Sequence, residues 1–458
     1  MTPTDLATVD AGLRRRIAIA SMAGTTVEFY DFYVYATAAV SVFPQLFFPK
    51  ANHTTALLAS LATFGLAFVA RPLGSILFGH FGDRAGRKST LVGSLLTMGI
   101  ATFVIGLLPT YQQVGLPAPI MLAFLRFAQG LALGGEWSGA ALLATETAEP
   151  HKRARAAIWP QLGAPFGFLL ANGLFLALIG WLGHRAVDPD PSSPFLAWGW
   201  RIPFILSAII VAIGLFVRLR LTETPVFTRA LERGEQVRAP LAEVFRSSWR
   251  ELLIGTFAML ATYTLFYTVT TWALSYGTSR QPPAGNGLGF SYPDFLNMQL
   301  IAVLFLAATI PLAGALADRF GRRTTLLTVT AAIVAYGASF GPMLAPDCAT
   351  TGSATLFLIV GMTLMGLSFG PMSAVLPELF PTNVRYTGSG IAYNLASILG
   401  AAVAPFIATW LAATHGVAWV GAYLSAVAIV TFGALWLMRE TKGVAMDDVI
   451  DAIPAGGP

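Results

Sequence analysis

Read for its apolar and polar positions, the chain is a succession of long apolar runs broken by short polar stretches. The runs fall at about 17–46, 55–79, 90–109, 118–145, 156–182, 198–218, 251–277, 295–316, 324–343, 354–377, 388–412 and 417–438. A run of roughly 20 apolar residues crosses the ~30 Å of hydrocarbon in a bilayer. Lipid cannot satisfy backbone amides, and no segment alternates as a barrel strand would, so the runs are expected to be helices. The pattern predicts an all-α integral membrane protein with twelve transmembrane helices. Its longest charged stretch, 218–250, separates six runs from six. The expected organisation is therefore an N-terminal six-helix bundle (1–217), a cytoplasmic basic linker (218–250), a C-terminal six-helix bundle (251–440) and a short cytoplasmic tail (441–458). The linker is amphipathic and suits short surface helices. The tail ends in Pro454-Ala455-Gly456-Gly457-Pro458, carries no heptads and is expected to be disordered.

Composition agrees with a bilayer environment. Of 458 residues, 55% are hydrophobic and 11% charged, whereas roughly a quarter of a soluble domain is charged. The chain has 28 Lys and Arg. Four fall on one side of the predicted membrane (Lys50, Arg185, Arg201, Arg280) and two within runs (Arg71, Arg126); the rest lie on the side that holds both termini. Such asymmetry places both termini of a multi-pass membrane protein in the cytoplasm. The net charge of +5 thus sets orientation and does not point to nucleic acid. Arg14-Arg15-Arg16 precede an apolar run too long for a signal-peptide core, so the first run is expected to stay as a span. The single cysteine, Cys348, excludes an intramolecular disulfide. Five scattered histidines offer no metal-ligand spacing and no Ser/His/Asp set, so an enzyme is not expected. No cofactor is implied beyond a proton as coupling ion, and the two bundles make a monomer sufficient.

Two stretches repeat each other half a protein apart. Gly79-His80-Phe81-Gly82-Asp83-Arg84-Ala85-Gly86-Arg87-Lys88 matches Gly314-Ala315-Leu316-Ala317-Asp318-Arg319-Phe320-Gly321-Arg322-Arg323. Each is expected to form a short charged hairpin between two spans. Glu146-x6-Arg153 is matched by Glu378-x6-Arg385, and Glu223 after the sixth run by Glu440 after the twelfth. Duplication at corresponding places in two apolar halves marks a parallel internal repeat, an architecture of secondary transporters. The repeated loop resembles the signature loop of the major facilitator superfamily. Asp83, Arg84, Arg87, Glu146, Arg153 and Glu223, with Asp318, Arg319, Arg322, Glu378, Arg385 and Glu440, form a candidate cytoplasmic gate. Their ion pairs would hold the halves together in one state and part in another.

Inside the runs, charge needs a reason, because a charge at mid-membrane costs at least ~2.5–3.5 kcal/mol. Glu28 and Asp31 lie near the middle of the first run and, with Tyr35, share one helical face. Arg71 lies in the second run; Arg126, Gln129 and Glu136 lie in the fourth. Three acids against two arginines leave one carboxyl in excess, as a proton site requires. Asp31 is the first candidate, then Glu28 and Glu136. Arg71 and Arg126 are candidates for binding substrate, with Gln129, Gln161, Tyr35, Tyr263, Tyr267 and Asn394 as further polar contacts. The second half has no charge in mid-span, offering Trp272, Asn297, Gln299 and Tyr393 besides. Trp198, Trp200 and Trp419 are expected to be interface anchors. Gly130, Gly134, Gly135 and Gly139 permit close helix packing; Gly163, Pro165, Gly167, Pro371 and Pro405 provide bends.

With these residues assembled, the chain resembles the metabolite:proton symporter family of the major facilitator superfamily. The likeness rests on Val27 to Tyr35, Arg71-Pro72-Leu73-Gly74, Arg126-x2-Gln129-Gly130-x3-Gly134-Gly135-Glu136 and Trp198-Gly199-Trp200-Arg201-Ile202-Pro203-Phe204. Pro377-Glu378-Leu379-Phe380-Pro381 and Glu440-Thr441-Lys442-Gly443 also look like the related sugar porters. The resemblance implies uptake, with protons, of a small carboxylate or zwitterion such as shikimate, 2-oxoglutarate, citrate or a betaine. The alternatives on the same scaffold are a facilitator, a proton-coupled exporter or, more distantly, a nutrient sensor that does not transport.

Overall fold

The computed structural model describes residues 11–85, 87–134, 137, 141–142, 144–145, 148, 152–183, 193–219, 240–282, 286–381 and 384–443; among these it leaves aside the side chains of 11–17, 20, 53, 76, 78–85, 87–91, 217–219 and 240–242. Among the described residues, twelve helices occupy the predicted runs. They are α1 (Ala11–Ser41), α2 (His53–Ala85), α3 (Arg87–Leu107), α4 (Pro117–Leu133), α5 (Arg153–Leu182) and α6 (Ile202–Leu219) in the first half. The second half holds α7 (Trp249–Thr278), α8 (Tyr292–Phe320), α9 (Arg322–Gly337), α10 (Thr351–Glu378), α11 (Arg385–Thr414) and α12 (Val417–Leu437). Most are apolar all round, as suits helices packed on one side and bathed by lipid on the other. Phe124, Trp181, Ile209 and Trp436 stand exposed on the outside, where hydrocarbon covers them.

Helix ends and bends follow from proline. The first run breaks at Val42, because Pro44 has no N–H for a helical bond, and a short helix Phe43–Phe47 follows. α5 changes course at Leu162, just ahead of Pro165. α7 and α11 each contain a π turn, at Thr268–Trp272 and at Ile398–Ala402, the latter just before Pro405. The carbonyls of Val269 and Thr270, within the first π turn, accept bonds of 3.1 and 2.8 Å from the Gln299 amide of α8. Gln299 is thus a backbone support, not the ligand contact the sequence suggested.

The signature stretches are largely helical. α2 runs on to Ala85 and α8 to Phe320, so the Asp-Arg pairs stand in last helical turns. The whole second turn is one residue, Gly321, whose φ of 100° suits glycine. Trp200 also departs from expectation. It is fully buried among Phe43, Phe47 and Phe204. The next residue, Arg201, lies 4.5 Å over its ring and donates to the carbonyls of Gly106 and Leu108 at the end of α3. The segment is therefore a clamp on a helix C-terminus, favoured by the helix dipole. Trp198 and Trp419 are exposed, as anchors would be.

The halves meet through α5 against α8 and α10, and through α2 against α11. One continuous apolar core extends through both.

Candidate functional site

The central charges are brought together by a close approach of α2 and α4. A methyl group on Gly74 would overlap the backbone of Leu131, one on Gly130 that of Ala67, and one on Gly134 that of Arg71. Small residues let the two backbones touch. Arg71 and Arg126 consequently reach the same space beside α1.

There they flank one ring. Each guanidinium lies 4.5 Å from the centre of the Phe32 ring. Arg126 also lies 4.1 Å over Tyr35 and 5.1 Å over Phe64, and Arg71 lies 5.0 Å over Phe68. Desolvated cation–π contacts of this kind are each worth up to ~2 kcal/mol. Arg71 pairs with Glu28 at 3.6 Å. Glu28, Asp31, Arg71 and Arg126 are all almost completely buried.

Asp31 and Arg126 are linked indirectly. Arg126 Nη1 donates to Gln129 Oε1 (3.0 Å), and Gln129 Nε2 donates to Thr102 Oγ1 (2.6 Å). Thr102 Oγ1 in turn donates to Asp31 Oδ2 (3.0 Å). Asp31 Oδ1, Arg71 Nε, Arg126 Nε, Arg126 Nη2 and the Tyr33 hydroxyl have no hydrogen-bond partner among the described residues. Unmet bonds on buried charges are costly, which sets these atoms apart from the satisfied groups around them.

The second half covers the charges with aromatic rings. Tyr267 packs on Phe64 and Phe68, Tyr263 stacks on Tyr267, and Tyr393 meets Tyr263 edge-on. Arg71 is within electrostatic reach of Tyr263, Tyr267 and Tyr393. Tyr35 donates to Thr63 at 2.8 Å. Arg71, Arg126, Gln129, Tyr35, Tyr263 and Tyr267 thus surround one centre together with Asp31 and Glu28.

Gln161 and Asn394 do something else in this conformation. Gln161 accepts from Trp137 Nε1 and donates to the Phe369 carbonyl of α10. Asn394 of α11 donates to the Gly134 carbonyl and to Ser75. Trp137 stacks on Tyr393 at 3.9 Å. These groups fasten one half to the other. Trp272 is buried against Tyr276 and Phe340 of the second half. Phe32 and Thr102 were not singled out in the sequence. The only signal for Thr102 was a lone hydroxyl in the apolar stretch Gly99–Ile105.

On the cytoplasmic side, Asp318 of α8 reaches across to the first half. Its carboxylate accepts from the backbone N–H of Ala154 (3.2 Å) and Arg155 (3.1 Å) in the first turn of α5. Arg322, itself buried, holds Asp318 at 3.2 Å and Glu378 at 3.3 Å. Thr441 donates to Glu378, and Glu440 accepts from the N–H groups of Arg322 and Arg323, capping α9. Arg385 donates to the carbonyls of Pro377 and Phe380, and Arg153 is buried beneath the cluster. Arg319 stands apart, its guanidinium over Phe320. Glu136, Glu146 and Glu223 lie outside the described residues, as do the side chains of Asp83, Arg84 and Arg87.

A family model described as "Sugar (and other) transporter" matches residues 17–451. The inner membrane metabolite transport protein YhjE of Escherichia coli is 53% identical over 433 residues, which is 94% of this chain and 95% of that protein. The shikimate transporter of Escherichia coli is 35% identical over 451 residues, 96% of this chain and 98% of the transporter. Among solved structures, the proton:xylose symporter XylE superposes with a TM-score of 0.70 at 18% identity, covering 96% of this chain and 98% of its own. That identity speaks for the fold alone. The duplicated helices, the membrane-buried charges and the match along nearly the whole length agree: this chain belongs to the sugar (and other) transporter family of the major facilitator superfamily, a multi-pass transporter of the bacterial inner membrane and not an enzyme.

Proposed function

We propose that the chain is a proton-coupled symporter that imports a small carboxylate or zwitterion by rocker-switch alternating access. The observation that carries this reading is the buried chain from Arg126 through Gln129 and Thr102 to Asp31, whose two ends keep unmet hydrogen-bonding atoms. A guanidinium with Nε and Nη2 available matches a carboxylate bidentately. A lone carboxyl at the other end takes the proton, so substrate and proton bind within one polar network. Arg71, paired with Glu28, adds positive potential without needing to titrate. The relative that transports shikimate, a carboxylate, supports the substrate class.

The two bundles, 1–217 and 251–440, move as bodies about this centre. Asp318 on the α5 terminus, with Arg322 and Glu378, holds the cytoplasmic side shut, and Gln161, Asn394 and the Trp137–Tyr393 stack close the path just above it. The test is proton entry into proteoliposomes on adding shikimate, 2-oxoglutarate, citrate, proline or betaine. External alkalinisation with one of them is expected, and it names the substrate class. Labelled-compound exchange with no proton movement in either direction would make the protein a facilitator; proton exit would make it an antiporter.

A further inference from the structure

We infer that Thr102 is a positioning residue for coupling, the switchable link that transmits the protonation of Asp31 to Arg126. This rests on the symport reading above. Thr102 is completely buried on α3, and its hydroxyl has one hydrogen but two acceptors at the same distance: Asp31 Oδ2 at 3.0 Å and its own helix's Met98 carbonyl at 3.0 Å. Its oxygen meanwhile accepts from Gln129 Nε2 at 2.6 Å. A threonine bonding back to the carbonyl four residues earlier is common in membrane helices. A second acceptor that is an ionisable carboxylate is not explained by that habit.

The two acceptors define two states of equal hydrogen-bond satisfaction. With Asp31 ionised, the Thr102 hydrogen points to Oδ2, and every donor from Arg126 to Thr102 is aimed toward the negative charge, an arrangement that strengthens each bond. When a proton arrives on Oδ2, the hydroxyl turns its hydrogen to the Met98 carbonyl, and its oxygen accepts from the new carboxyl O–H while keeping Gln129. No bond is lost, the proton remains on Asp31, and the negative end of the chain is gone. Arg126 then faces no anion through the chain and is available to a substrate carboxylate. The other charged or titratable groups near Asp31 are Tyr30 beside it, whose hydroxyl is engaged by the Pro203 carbonyl, Arg126 from α4, and the Glu28–Arg71 pair between α1 and α2. Just ahead of α6, Arg201 turns away to the end of α3.

The experiment is pH-dependent uptake and proton entry in proteoliposomes, using shikimate or whichever of 2-oxoglutarate, citrate, proline and betaine drives proton entry in the unaltered protein. Thr102→Val conserves shape but removes the donor to the carboxylate. The pH at which uptake falls to half is expected to move upward by about one unit, since the ionised form loses a charge-assisted hydrogen bond and the protonated form only a weaker neutral one. Proton entry per substrate should drop at least about threefold, while exchange is kept. Thr102→Ser, which retains the hydroxyl, should restore both. A Val variant with an unshifted pH profile and full coupling would overturn the inference while leaving symport intact. If the Val variant does not fold, Thr102→Ala supplies the same comparison in a smaller side chain. Absence of proton entry in the unaltered protein with every compound would instead overturn the symport reading beneath it.

Discussion

The two halves of the membrane interior are built from one repeated plan, yet they differ in chemistry. The first half places Glu28, Asp31, Arg71 and Arg126 at the centre, while the facing surface of the second half consists of Tyr263, Tyr267 and Tyr393 with π turns in α7 and α11. Charge is expensive in a bilayer and is tolerated where neighbours satisfy it. Concentrating it in one half lets the charges satisfy one another whatever the other half does. Rings and adjustable backbone suit the half that must adapt as the path opens. Duplication thus supplied the scaffold, and in the proposed function divergence divides recognition from closure.

The largest test of this division is Asp31→Asn. One proton driven by about 100 mV is worth ~2.3 kcal/mol, or roughly fiftyfold accumulation. That accumulation should vanish in the variant while labelled exchange persists; retained uphill uptake would remove Asp31 from the role. Next comes Arg126→Lys, which keeps the charge but loses the planar fork. KM should rise by about tenfold or more, with expression unaffected, and the same change at Arg71 should be milder because Glu28 already engages it. A further step down is Asp318→Asn. Loss of the anion at the α5 terminus should raise cytoplasmic-side labelling of an Ala157→Cys reporter, in a Cys348→Ser background, by about fivefold. The smallest effect on transport belongs to Gln299→Leu in the second half. It removes the side-chain amide that two carbonyls of α7 share, so Tm should fall, at a cost of about 1–3 kcal/mol, while KM stays put. A large KM change there would break the proposed split between halves.

How much of this was legible from the sequence depends on distance along the chain. Charged residues in apolar runs announce themselves, so Glu28, Asp31, Arg71 and Arg126 stood out, as did the twelve spans. Their partners did not. Thr102 and Phe32 matter only because α1, α3 and α4 converge, and convergence is set by backbone contacts such as Gly130 on Ala67 that no local pattern prints. Amides were also ambiguous: Gln161, Asn394 and Gln299 read alike in sequence, yet the structure engages each with a backbone carbonyl. Trp200 was misread because a tryptophan at a span end suits either an anchor or a clamp, and Arg201 decides between them by reaching the end of α3.

The contact of Asp318 with the first turn of α5 has a thermodynamic consequence. A carboxylate on a helix N-terminus contributes only about 0.3–2 kcal/mol, which corresponds to a population ratio between roughly two and thirty. A bolt of that strength biases the closed state without trapping it. In the proposed cycle this one contact opens thermally, so withdrawing it asks little of the coupling ion.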